Sequence, residues 1–291
     1  MCGAGSDLVV ARAALHFWEE PPISGDSGSG TIFFGHCPLH CVYCQNTVIA
    51  HGGVGQAVSV DDVARMCLDL QEQGALNINC VTPTHFAPHV REAIRLARAK
   101  GLSLPVVWNT SGYELAREIR LNEDTVDVYL TDFKYADPAL GARYSYVSDY
   151  PARALEALDA MVEAVGPARY DEYRGQERMV RGVIVRHLLM PGGLEDSKRV
   201  VSMLHERYGA AIRFSLMNQY TPVLATAAAA GDEHATRVLG RCPELAERVP
   251  DWQYEELLDY ADDLGVEDYF WQEGGACEES FIPAFQGCLP G

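Results

Sequence analysis

"GTIFFGHCPLHCVYCQN" (residues 30–46) joins a short apolar run to three cysteines, Cys37, Cys41 and Cys44, within eight positions. Thr31–Phe34 is β-branched and aromatic, as buried parallel strands tend to be, so the thiols fall at the end of a predicted strand. A zinc site normally takes four ligands in two pairs. One trio is present and no second Cys or His pair lies at zinc-finger spacing, although His36 and His40 leave a Cys3His set open. A thioredoxin-type pair is C-x-x-C, which Cys41 and Cys44 match while Cys37 goes unexplained. A cubane iron–sulfur cluster is usually held by four thiolates; three leave one iron open to an external ligand.

The remaining composition narrows the setting. The 291 residues are 48% hydrophobic, enough for a real core, and carry 23 Lys+Arg against 41 Asp+Glu, a net charge of −18. Residues 249–291 contribute eleven acidic side chains and no Lys or Arg. Such a balance disfavours a phosphate backbone, so no nucleic-acid partner is expected. The opening "MCGAGSDLVVARAALHFWEE" has no basic n-region, and Arg12 interrupts its apolar stretch. Neither a signal peptide nor a membrane span is expected, and the expected address is cytoplasmic. Nine cysteines there would be mostly reduced, which favours metal ligands or redox groups over disulfides. Cys67 and Cys80 fall within predicted elements and read as core.

Apolar runs alternate with helical patterns along the chain. Strands are predicted at Thr31–Phe34, Asn77–Val81, Leu104–Trp108, Val126–Leu130, Val180–His187 and Ile212–Leu216. Helices are predicted at Asp61–Glu72, Pro88–Lys100, Tyr113–Arg120, Ala152–Val165 and Asp196–Tyr208, with Gly101 following the basic last turn of the second as a C-cap. This is an α/β pattern with a parallel sheet, since each parallel crossover needs a helix. Periodicity leaves an open doubly wound sheet and a partial barrel as alternatives. Chemistry collects after the C-terminal ends of such strands. Those ends carry the cysteine loop, then "VTPTH" (Thr82, Thr84, His85), "WNTSG" (Asn109, Thr110, Ser111), "TDFK" (Asp132, Lys134), "RHLLMPGG" (Arg186, His187) and "LMNQYTP" (Asn218, Gln219). Any one of these residues could be a helix cap; six polar rims together suit a charged, multifunctional small ligand.

The spacing C-x3-C-x-aromatic-C, met by Cys37, Cys41, Tyr43 and Cys44, resembles the signature of the radical S-adenosylmethionine (radical SAM) superfamily. "GSGTIFFGHCPLHCVYCQN", "VTPTH", "DFKYAD" and "VRHLLMPGG" are similar, more narrowly, to the group related to pyruvate formate-lyase activating enzyme, over about residues 11–222. The resemblance implies a partial (β/α)6 TIM-type barrel over 31–222, with 1–30 as a lead-in packing on the core and 223–291 as an acidic C-terminal extension. It implies a 4Fe–4S cluster on Cys37, Cys41 and Cys44, whose open iron binds S-adenosylmethionine. Reductive cleavage then gives methionine and a 5′-deoxyadenosyl radical that abstracts hydrogen from a substrate. It further implies Tyr43 beside the adenine, Asn109 under the methionine moiety, and Asp132 and Arg186 at the methionine carboxylate or ribose, an Arg fork being apt for a carboxylate. Lys134 and His187 would face the same cavity as catalytic groups toward substrate. Well-known activators carry Gly-Gly-Glu after the second strand; here Thr82 and Thr84, with the backbone, would hold the methionine amine. Asn109 replaces an activator Asp. "HFWEEPPISG" (16–25) resembles an opening of the group, with His16, Glu19 and Glu20 either capping a helix or lining the cavity mouth.

The implied partners are an electron donor such as flavodoxin or ferredoxin and a glycyl radical enzyme to be activated. A radical enzyme acting on a small molecule or another protein is the alternative, and a non-catalytic iron–sulfur or zinc-binding protein is the reading from a different class. The cavity mouth discriminates the first two: a glycine loop needs an open groove, a small substrate a closed pocket.

Overall fold

The computed structural model describes residues 3–272. Six parallel strands lie side by side in the order β2 (Ser29–Phe34), β4 (Ile78–Val81), β5 (Val106–Thr110), β6 (Val128–Asp132), β8 (Gln176–Leu188) and β9 (Arg213–Met217). Helices α3 (Val60–Glu72), α4 (Ala87–Ala99), α5 (Ala116–Arg120), α6 (Pro138–Ser145), α7 (Tyr150–Val165) and α8 (Leu194–Tyr208) fall in the crossovers. The short turns α1 (Pro21–Ser24) and α2 (Thr47–Ala50) flank β2, while α9 (Val223–Ala229), α10 (Glu233–Arg241) and α11 (Asp251–Leu264) follow β9. The result is an α/β partial barrel whose sheet is not closed. Local chemistry accounts for the boundaries. Ser59 caps α3 through Asp62 N–H at 3.1 Å, and the Asp62 carboxylate accepts from Ser59 N–H at 2.9 Å, a reciprocal box. Gly101 takes φ +110° after α4, as its C-cap reading expects.

Three strands were not expected from the sequence. β1 (Leu8–His16) pairs antiparallel with β2, and β3 (Gln56–Val58) with β1. β7 (Arg169–Tyr173) forms a hairpin with the first half of β8. Their composition hides them. "LVVARAALH" has alanine or arginine at four of nine positions, and "RYDEY" mixes charges with aromatics on a largely exposed edge; pairing rather than propensity makes both strands.

Side chains alternate across each strand, and this alternation sorts the barrel. Outward residues, among them Ile32, Cys80, Trp108, Tyr129 and Val185, pack under the helices in the main core. Inward residues Val107, Val128, Leu130 and Ile184 form a second apolar cluster, closed from below by Ile23 of α1. Two positions beyond Val107, Leu130 and Ile184 the side chains turn polar, with Asn109, Asp132 and Arg186, while Asn79 lies beside Val107 in the register. Cys67 and Cys80 are buried core residues, as expected.

At the open edge, Phe270 N–H donates to Phe214 O at 2.8 Å and Phe270 O accepts from Leu216 N–H at 2.9 Å, so the segment around Phe270 covers part of β9. Helix α11 is held to α8 by Lys198–Glu256 and by Ser202–Tyr260, each at 2.6 Å. Residues 273–291 of the acidic extension, with Cys277 and Cys288, lie outside the described residues, as does Cys2.

Gly112, at φ +78°, lies where an added Cβ would meet Asp132 O at 2.1 Å and Tyr150 Oη at 3.1 Å. Gly112→Ala is expected to cost about 1–3 kcal/mol in urea unfolding, through the left-handed backbone and the forced shift of β6. An unchanged unfolding midpoint would contradict this close approach.

Candidate functional site

Strand β2 runs directly into the loop Gly35–Cys44, which two left-handed residues, His36 (φ 67°) and His40 (φ 25°), bend back over the barrel mouth. Backbone bonds pin it: Gly35 N–H to Val9 O at 2.9 Å, His36 N–H to Ile49 O at 2.8 Å and Val42 N–H to Tyr144 O at 2.8 Å. Cys37, Cys41 and Cys44 are free, partly buried thiols lining one cavity of about 270 Å3. Burial pushes the Cys37 thiol up to about 12 and Cys44 to about 11. Bound to a cation, such thiols would instead be held as thiolates. Soft sulfur donors select zinc, cuprous ions or iron–sulfur clusters. Among the described residues, no three His, Cys, Asp or Glu side chains converge on a point that one ion could occupy. A cubane asks for something different, because each cysteine holds a separate iron and the thiols need only surround a volume. The donor set fits a three-thiolate cluster better than mononuclear zinc.

The cavity floor is the polar layer of the barrel, and Arg186 is its hub. Its Nε reaches Asp132 Oδ1 at 3.2 Å, Nη1 reaches Glu19 Oε2 at 3.0 Å and Nη2 donates to Asn109 Oδ1 at 2.6 Å. Glu19 Oε1 also accepts from Asn79 Nδ2 at 2.9 Å and Asn109 Nδ2 at 3.3 Å, and Lys134 Nζ donates to Asp132 Oδ2 at 2.6 Å. Burial pushes the Asp132 carboxyl up, but Lys134 and Arg186 together outweigh it, leaving it below the usual carboxylate range. Burial likewise opposes the Lys134 charge; Asp132 and the sulfur and phenol groups nearby prevail and hold the ammonium firmly protonated. Glu19 is thus a site residue supplied by the N-terminal segment. Glu20 beside it is buried, with Oε2 lacking a hydrogen-bond partner and its carboxyl raised first by that burial.

The structure sorts the expected site residues. Cys37, Cys41, Cys44, Tyr43, Thr82, Asn109, Asp132, Lys134 and Arg186 all border the cavity. Two expected residues do not. His187 cannot face inward, because Arg186 does and neighbours on a strand alternate. Its ring lies behind β8, Nδ1 bonded to Phe133 O at 2.7 Å and Nε2 to Ser197 Oγ at 2.8 Å, so it ties the strand to α8. Thr84 turns away as well: its hydroxyl donates to buried Glu114 at 2.6 Å, alongside Thr110 at 2.7 Å and Trp108 Nε1 at 3.3 Å. The Arg186 fork, expected to receive a carboxylate, is engaged at every nitrogen. Thr82 sits at φ 55°, an outlier for a β-branched residue.

Three cavity-lining polar atoms, His36 Nδ1, Asn46 Oδ1 and Ser111 Oγ, are buried without hydrogen-bond partners. Each such group costs about 1–3 kcal/mol unless something supplies a partner. The cavity lining therefore includes the three thiols and three residues that carry a buried, unsatisfied polar atom.

Residues 31–173 match the model of the Radical SAM superfamily. A protein of Methanocaldococcus jannaschii is 27% identical over 220 residues, covering 72% of this chain; the chain spans 57% of that protein. SuiB of Streptococcus suis, solved with S-adenosylmethionine, shares 13% identity and a TM-score of 0.51 over 83% of this chain and 46% of SuiB. A radical SAM methyltransferase from Sphaerobacter thermophilus shares 12% identity and a TM-score of 0.52 over 83% of this chain and 66% of the methyltransferase. These likenesses establish the fold. The superfamily uses a 4Fe–4S cluster and S-adenosylmethionine, which agrees with the sulfur donors and orphaned polar atoms of the cavity.

Two consequences are measurable. Arg186→Met leaves Glu19 buried without its cation and Asp132 with Lys134 alone, and is expected to cost about 3–5 kcal/mol in urea unfolding. A loss below about 1 kcal/mol, the size of an exposed pair, would contradict the hub. Burial also lowers His187, and burial with Arg12 and Arg186 lowers His16 to about 4. In the unfolded chain these rings take up protons near 6.5, whereas the buried rings stay neutral. Unfolding then binds protons, so stability is full above about pH 6.5 and falls progressively toward about pH 4. His187→Gln should flatten that slope; an unaltered slope would remove His187 from the account.

Proposed function

We propose that this chain, carrying a Radical SAM superfamily domain, is a radical SAM enzyme whose cavity holds the cluster on Cys37, Cys41 and Cys44 with S-adenosylmethionine beside it. When bound, that pair supplies reductive cleavage of the sulfonium to methionine and a 5′-deoxyadenosyl radical able to abstract hydrogen. The observation that carries the reading is the meeting, in one cavity at the C-terminal barrel mouth, of three thiols with buried polar atoms that lack partners.

The chain's own residues have definable tasks. Tyr43, buried on the cavity wall, offers a flat face for an adenine. Ser111 Oγ and Asn46 Oδ1 are unsatisfied acceptors, and Ser111 can also donate, suiting an amine or a ribose. With Thr84 turned away, Thr82 supplies its hydroxyl and its strained backbone where better-known activators have Gly-Gly-Glu. Lys134, whose ammonium donates to Asp132, suits a carboxylate on S-adenosylmethionine or on the substrate. Arg186 and Glu19 keep the floor rigid and dry.

Likeness to pyruvate formate-lyase activating enzyme over "VTPTH", "DFKYAD" and "VRHLLMPGG" supports a backbone glycine of a partner enzyme as the hydrogen donor, with flavodoxin or ferredoxin as the electron source. A different observation favours a small-molecule donor. The chain after β9 is tied to the cysteine loop by Gln45 Nε2 to Gln219 O at 3.1 Å and to α6 by Arg143 to Arg241 O at 2.8 Å, which places it beside the approach to the cavity.

Anaerobic reconstitution with iron and sulfide, then reduction with excess S-adenosylmethionine, is expected to yield 5′-deoxyadenosine from the wild type and none from Cys41→Ala. A fully loaded cluster that yields none would return the chain to a non-catalytic metal-binding role. A glycyl radical signal in an added candidate partner would decide between the donors.

A further inference from the structure

One buried hydrogen-bond chain near the cavity is not absorbed by S-adenosylmethionine binding. Cys41 Sγ lies 3.0 Å from Ser145 Oγ, Ser145 Oγ lies 2.9 Å from Tyr135 Oη, and Tyr135 Oη lies 2.7 Å from Tyr43 Oη. All three hydroxyl residues are buried, Ser145 to 2% exposure and Tyr135 to 1%. Ser145 is the last residue of α6, and Tyr146 ends the helix in the left-handed conformation at φ 59°. The same helix end accepts Val42 N–H at Tyr144 O, so α6 is docked on the cysteine loop by two bonds from one turn. Backbone N–H groups of Leu39 and Asn46 serve Cys37 and Cys44. Among the described residues, Cys41 alone of the three has a side-chain hydroxyl partner.

A thiol at Cys41 could donate or accept, but a metal-bound thiolate can only accept. That fixes the direction of the chain. Ser145 must donate to sulfur, which frees its oxygen to accept from Tyr135, whose oxygen in turn accepts from Tyr43. Every hydroxyl then donates once and none is frustrated, and aligned hydroxyls polarise one another toward the sulfur. Hydrogen bonds to cluster sulfurs stabilise the more negative, reduced state and so raise the reduction potential.

We propose that Ser145, aligned by Tyr135 and Tyr43, is a positioning residue that donates a hydrogen bond to the Cys41 sulfur and sets the ease with which the cluster accepts its electron. The inference rests on the cluster reading above. The step is a one-electron reduction in which an external donor is oxidised and the cluster reduced; the hydroxyl chain moves no proton. Its value to the reaction is that a cluster in an acidic protein, whose surrounding charge resists added electrons, stays within reach of a modest donor.

The test is a potentiometric titration of the reconstituted protein without S-adenosylmethionine, followed by the electron paramagnetic resonance signal of the reduced cluster. Ser145→Ala is expected to reduce the ratio of reduced to oxidised cluster about tenfold at the wild-type midpoint, a fall of about 59 mV. Tyr135→Phe should fall between the two, and Ser145→Thr, which keeps the hydroxyl, should restore the wild-type potential. Fully loaded Ser145→Ala and Tyr135→Phe proteins that titrate with the wild type would overturn the proposal. Should Ser145→Ala not take up iron, Tyr135→Phe decides alone, since it removes the aligning donor without touching Cys41. Wild-type protein that takes up no cluster at all would overturn the cofactor reading, and this inference with it.

Discussion

Arg186 gathers into one cluster groups that the chain supplies from three distant places. Glu19 comes from the N-terminal segment, Asn109 from β5 and Asp132 from β6, and each meets a different nitrogen of one guanidinium. The cluster lies inside the barrel, where charges are tolerated only when paired and hydrogen-bonded. Two cations, Arg186 and Lys134, face two carboxylates, Glu19 and Asp132. This polar plate separates the apolar lower barrel, closed by Ile23, from the cavity that opens toward the cysteine loop. Remove it and the cavity loses its floor.

The same alternation that aims Arg186 inward decides what its neighbours can do. His187 is sent behind the sheet to hold α8, and Thr84 is drawn to Glu114, so the second rim contributes Thr82 alone. Polar work therefore shifts to the first and third rims, to Asn46 and Ser111, and to the ammonium of Lys134. The cysteine loop in turn depends on α6, whose last turn meets both Val42 and Cys41. The mouth of the barrel is a layered object: thiols above, hydroxyls behind them, and a charged floor below.

Much of this was legible in the residues. Five of the six parallel strands start within two residues of their predicted starts and β8 four residues early, because short β-branched and aromatic runs alternating with amphipathic segments admit few other folds. The cysteine trio announced itself through spacing and through its place after a strand. Glu19 stood there only as a helix cap or a cavity-mouth residue, because its contact with Arg186 spans 167 positions and no local pattern records it. Ser145 and Tyr135 were silent, one being the end of an unpredicted helix and the other one aromatic among many. His187 was misplaced for a simpler reason: a rim was read as a set of residues, when strand alternation lets adjacent residues share a rim but not a face.

The central claim is that the three thiols carry a cluster with one iron left for S-adenosylmethionine. The most direct measurement is the electron paramagnetic resonance spectrum of the reduced, reconstituted protein with and without S-adenosylmethionine. A fully loaded cluster whose signal changes on adding it, and a Cys41→Ala protein that shows no such change, is the result this account predicts. A fully loaded cluster whose spectrum is indifferent to S-adenosylmethionine would contradict it.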